Sequence, residues 1–132
     1  MNEIKLEIKD YYVLLNLHKA LLEAKFHENP DNILVSSSPI IANLCDEIIE
    51  ILEKIDEKRG KNSAEWEEWR KLGNQSYYKQ RAIKNATLNM RWLELSEQEK
   101  VETSKQIMSP FKATEDEIIE FIKEVDERIV GR

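Results

Sequence analysis

The sequence predicts an all-α protein: a helical bundle of four core helices, built from two duplicated helical hairpins, with one or two short helices added. Three observations lead there. Only three Gly and three Pro occur in 132 residues, too few for the many tight turns of a sandwich or barrel. Apolar residues make up 41% and charged residues 35% of the chain, with Glu, Lys, Ile and Leu foremost, the composition of helices with one apolar face. Helix start and stop signals recur along the whole length, which is that of one domain, residues 1–132.

The first segment has two periods superimposed. Ile4, Leu6 and Ile8 alternate as in a strand, while Ile4, Ile8, Tyr11, Leu15, His18 and Leu22 form a helical stripe. A strand here would have no partner except the short "NILVS", so one long first helix ending near "HENPD" is expected. Next, "SSSPIIANLCDEIIEILEKIDEKRG" places Ser38 as N-cap, Pro39 at the first helical position and Gly60 as the stop. Its stripe is Ile41, Leu44, Ile48, Ile51 and Ile55, with Cys45 beside it as a small hydrophobe. "NSAEWEEWRKLG" reads as a short helix closed by Gly73. A basic-aromatic helix over 75–94 follows. Ser96 and Glu99 form a capping box for a short helix ending before Pro110, and Thr114 and Glu117 form a second box. The last helix carries Ile118, Ile122, Val125 and Ile129 on its inner face.

Two segments, "DEIIEILEKIDEK" (46–58) and "DEIIEFIKEVDER" (116–128), nearly repeat one another. Upstream of them "SPIIA" (38–42) matches "SPFKA" (109–113), and "YYVLLNLHKALLEAKFHE" (11–28) matches "YYKQRAIKNATLNMRWLE" (77–94). The matches fall in the same order in both halves, which marks 11–60 and 77–131 as a candidate internal repeat.

The formal net charge is -6, unevenly spread. No acid occurs from Trp69 to Leu93, where Arg70, Lys71, Lys79, Arg81, Lys84 and Arg91 are basic. Asp46, Glu50, Glu53 and Glu57 lie opposite the apolar stripe of their helix, and Asp116, Glu120 and Glu127 do so in the second copy. Such faces suit a basic partner, whose association they would accelerate. Trp66 and Trp69, three apart, share a helix side and can anchor a partner. On the basic-aromatic helix, Tyr77, Arg81, Lys84, Arg91 and Trp92 share a face that could track phosphates and stack bases.

"DEIIE" (46–50) resembles the first part of the EExxE and ExxD metal motif of the all-helical nucleotide pyrophosphatases. The downstream window "EWEE" (65–68) departs from ExxD by ending in Glu, so no residue is carried over as catalytic. His18, His27 and Cys45 stand singly and have no metal-ligand spacing. Neither a Gly-rich phosphate loop nor a nucleophile motif is present. No metal or cofactor is expected.

The lone Cys45 cannot form an internal disulfide, the opening "MNEIKLEIKD" lacks the apolar centre of a signal peptide, and no apolar run reaches membrane-spanning length. A cytoplasmic protein from an AT-rich bacterial or phage genome is expected. Its expected function is non-enzymatic: an acidic helical module that binds another protein as adaptor, inhibitor or neutralising partner of a basic protein. Nucleic-acid binding through 75–94 is the alternative, and a Mg-dependent nucleotide pyrophosphatase the second.

Overall fold

Seven α-helices and two short 3₁₀ turns, Leu72–Asn74 and Trp92–Glu94, make up the regular structure in a computed structural model that describes residues 3–62 and 64–132; Met1, Asn2 and Ser63 lie outside the described residues. In chain order they are α1 (Tyr11–Lys25), α2 (Leu34–Ser37), α3 (Pro39–Lys58), α4 (Ala64–Arg70), α5 (Ser76–Thr87), α6 (Glu97–Met108) and α7 (Glu115–Val130). The all-α bundle expected from composition is present. α1 packs along α3, α5 packs along α7, and α6 lies against both α5 and α7. None of the described helices is long and apolar enough to cross a membrane.

The capping signals act as the residues dictate. Ser38 Oγ accepts the Ile41 N–H at 3.2 Å with Pro39 at the first helical position. Both capping boxes close, Ser96 with Glu99 and Thr114 with Glu117. Each satisfies two of the four N–H groups a helix start leaves without intrahelical partners. α3 ends at Lys58, and Gly60 takes φ 78°, the left-handed conformation that only glycine adopts without a steric penalty.

Three boundaries differ from expectation. Residues 3–10 are not helical, because Asp10 accepts the Tyr12 N–H at 2.7 Å and so starts α1 there. α4 ends at Arg70 rather than at Gly73, because Lys71 turns extended and pairs with Lys112: Leu72 N donates to Lys112 O (2.8 Å) and Lys112 N to Arg70 O (2.7 Å). Gly73 instead allows a close approach, since a Cβ there would lie 3.1 Å from Glu117 Oε2. The basic-aromatic helix stops at Thr87, and Trp92 lies in a separate 3₁₀ turn, Trp92–Glu94.

The principal core gathers Leu22, Phe26, Leu72, Ile83, Trp92, Ile107, Phe111, Phe121 and Val125. Trp92 is fully buried, and its indole N–H donates to Asp126 Oδ1 at 2.8 Å. The Lys100 ammonium reaches the same oxygen at 3.1 Å. A smaller cluster, Leu14, Ile48 and Leu52, joins α1 to α3. Cys45 is buried, as a small hydrophobe should be. On α3 the deepest residues are Ala42, Cys45, Ile48, Ile49, Leu52 and Asp56, a face rotated from the predicted stripe. α7 keeps Ile118, Ile122 and Val125 buried as predicted, with Phe121 added and Ile129 half-buried.

One polar network ties α3 and α4 to the connection between α6 and α7. Arg70 is buried; its Nη2 donates to Asp46 Oδ1 (2.9 Å) and its Nε to Pro110 O (2.9 Å). The Ser109 hydroxyl lies 3.0 Å from both Asp46 Oδ1 and Ala42 O. Asp46 therefore does not simply face outward, whereas Asp116, at the matching position of the second "DEIIE" segment, is exposed. Asp46→Ala should lower stability by about 1–3 kcal/mol, since it strips a buried guanidinium of its carboxylate. Asp116→Ala should cost no more than about 1 kcal/mol, the value of an acid in a first helical turn. Urea denaturation of both variants distinguishes the two roles, and equal losses would contradict the network.

Candidate functional site

A cleft of about 450 Å³ opens between α1 and α4. Its walls follow from helix periodicity. Leu15, His18 and Leu22 fall on one side of α1, and Trp66 and Trp69, three apart, fall on one side of α4. Tyr78 of α5 and Asp56 near the end of α3 complete the lining, with Lys19, Lys61 and Glu65 also bordering it. The ring pairs Trp66–Trp69 (5.7 Å), His18–Trp66 (5.7 Å) and His18–Trp69 (5.3 Å) meet edge to face. That is the arrangement aromatic quadrupoles favour. Trp69 also packs on Phe111 at 4.8 Å, which continues the aromatic contacts into the core.

His18 is buried, and burial followed by the charge of Lys19 lowers its pKa to about 4. The imidazole is therefore neutral near pH 7 and behaves as part of an aromatic wall.

Asp56 is the chemically unusual member. It is buried, and its Oδ2 accepts the Trp66 indole N–H at 2.8 Å. Its Oδ1 is shielded from solvent, and among the described residues no cation pairs with the carboxylate, whose only other side-chain donor is the neighbouring Tyr11 hydroxyl. The nearby Tyr11 has its pKa raised by burial, then by its hydroxyl's hydrogen bond to this carboxylate and by the carboxylate's charge. Arg59 and Lys61 lie over the Tyr11 ring, at 4.5 and 5.9 Å, rather than against Asp56. A buried carboxylate without a counter-charge costs free energy until a cation reaches it.

The residues marked in the sequence are distributed as follows. Trp66 and Trp69 are half-buried and come together as cleft walls. Glu50 and Glu57 on α3, and Asp116, Glu120 and Glu127 on α7, are exposed on their helices. Asp46 is partly spent on Arg70. The basic-aromatic face does not form as drawn. Trp92 is inside the core, Arg91 lies past the end of α5, and Arg81 and Lys84 both reach Glu28, at 3.7 and 3.9 Å. Tyr77 remains exposed, with the Arg81 guanidinium 4.7 Å over its ring. The segment's stacking residue is buried because its ring is worth more in the core than at the surface.

A larger cavity, about 540 Å³, includes Glu53, Glu67 and Glu117 beside Arg70, Lys71 and Lys112 in its lining. Its charges offset one another, and Asp56 contributes nothing to it. Among the described residues no group of three or more His, Cys, Asp or Glu side chains converges as a metal site. The "DEIIE" and "EWEE" carboxylates thus form no such cluster.

Asp56 had no local sequence signal of its own, being one acid in an acidic helix. Asp126, at the matching position of the second segment, likewise accepts a tryptophan N–H.

The depressed His18 pKa fixes the sign of a pH effect. Between pH 6.5 and 4 the unfolded chain binds a proton at this position that the folded chain does not, so the His18 contribution is complete above 6.5 and is lost as pH falls toward 4. His18→Phe should lose less stability than the parent between pH 7 and 5 in urea titrations. Parallel curves would contradict this.

No protein-family model matches the chain, and no significant match to a curated protein or a solved structure is found.

Proposed function

We propose that the protein is a non-enzymatic binding module that engages a basic protein partner by receiving one of its cationic side chains in the α1–α4 cleft. The observation that carries this reading is Asp56: a buried carboxylate met by the neutral donors Trp66 and Tyr11 and, among the described residues, by no cation, set beside two indole rings. A guanidinium entering the cleft would supply the missing counter-charge and lie against Trp66 or Trp69. Cation–π attraction there contributes about 0.5–2 kcal/mol, rising as water is excluded. The exposed acids Glu50 and Glu57 on α3 would draw a basic surface toward this end of the molecule, acting on association rate more than on final affinity.

The test is a titration of the full chain with capped Gly-Arg-Gly, followed by the indole N–H resonance of Trp66 and by tryptophan fluorescence. A saturable shift at Trp66 is expected, weakened about tenfold in Trp69→Leu, the equivalent of roughly 1.4 kcal/mol. The citrulline peptide, an uncharged near-isostere, should give no saturable shift. Equal responses to the two peptides, or a response confined to Trp92, would overturn the reading.

A further inference from the structure

The most regular apolar stripe in the sequence is not fully covered. Leu44 is 39% and Ile51 41% exposed, and Ile41 and Ile55 are only half-buried. At 100° per residue the apolar arc of α3 spans roughly 200°, about twice what a helix needs to face one core. The inner part, through Cys45, Ile49 and Leu52, is buried. The outer part, through Leu44 and Ile51, is bordered by α1, whose own flank there is uncharged: Val13, Leu17, Ala20, Leu21 and Ala24.

The second half shows what a covered version looks like. Aligning Asp46 with Asp116 sets Ile51 against Phe121 and Ile55 against Val125, and both α7 residues are fully buried. α7 is packed by α5 and α6, whereas α3 has α1 along it and meets α6 near its N-terminal end, where Ser109 reaches Ala42.

We propose that a second copy of this chain covers this face, with the two α3 helices antiparallel about a two-fold axis. The charges bordering the stripe argue for this occupant. Glu47 and Lys54, seven residues apart, lie along the outer edge of the exposed arc. Among the described residues neither makes an ion pair within the chain. Setting Leu44 against Ile55 of the second helix brings the two exposed Ile51 side chains together near the two-fold axis, above the buried Ile48, and places Glu47 beside the second copy's Lys54; symmetry repeats the pair. The edge is thus self-complementary only in the antiparallel sense. The resulting core is a four-helix arrangement made of two α1–α3 hairpins.

Sedimentation velocity on the full chain tests this. The parent should self-associate to a dimer at micromolar concentrations, and Ile51→Glu, confirmed folded by circular dichroism, should be monomeric. Glu47→Lys and Lys54→Glu alone should each weaken dimerisation about tenfold at low salt, because each places two like-charged pairs at the interface. Mixing the two single variants should restore association, since the heterodimer has both pairs opposite in sign. A parent that stays monomeric at several hundred micromolar would overturn the proposal. So would a dimer indifferent to Ile51→Glu, or a mixture associating no better than its components.

Discussion

The buried guanidinium of Arg70 is the constraint on which the site depends. It sits at the end of α4 and reaches Asp46 on α3 and the carbonyl of Pro110 before α7. A guanidinium cannot shed its charge, so once buried it must be given acceptors, and those acceptors fix where its helix goes. Asp46 and Pro110 O supply them from two different elements. The backbone pairing around Lys71 and Lys112 then locks the same crossing. With α4 held there, Trp66 and Trp69 have one available direction, over His18 and toward Asp56. The aromatic cleft is thus a consequence of where a single cation is satisfied.

A second buried cation secures the other side of α1. Lys25 at its end is almost wholly enclosed, and its ammonium donates to Gln106 O (2.6 Å) and Ile107 O (2.5 Å) at the end of α6. Carbonyls at a helix C-terminus lack intrahelical donors and carry the negative end of the dipole, so a lysine there satisfies both needs. Burial nonetheless lowers its pKa to about 7, with Cys45 and Asp46 acting in the opposite direction. Below that pH the folded protein carries the full cost of enclosing the charge, and the cost is relieved as pH rises toward the ordinary lysine range.

What could be read in advance divides along physical lines. Caps were legible because they are local: Ser38, Ser96 and Thr114 need only residues within three positions to act, and all three do. Burial of aromatics was less so. Trp66, Trp69 and Trp92 look alike in sequence, yet Trp92 is in the core and the others wall a cleft, because tertiary partners decide. Periodicity gave the direction of the α3 stripe but not which part of a wide arc its neighbours would cover. Lys25 and Asp56 had no signal, since a buried charge is defined by acceptors or donors distant in sequence. Where the halves are compared, Phe26 and Trp92 remain buried at matching positions while Lys25 is buried and Arg91 exposed. Apolar anchors are tolerant of context, and charges are not.

The two surfaces singled out on the first hairpin lie on opposite flanks of it. On α1, Leu15 and His18 face α4 and the cleft, whereas Val13 and Leu17 lie on the side away from it. On α3, Asp56 belongs to the inner arc and Ile51 to the outer one. Pairing of two chains through the outer arc would therefore leave both clefts open. It would also set two identical cation-accepting sites at a fixed separation on one particle. A basic partner with two suitably spaced cationic residues would then gain from effective concentration what either cleft alone, offering one carboxylate oxygen and two indoles, cannot provide. Weak individual clefts and a dimeric arrangement would then be complementary features of one binding device.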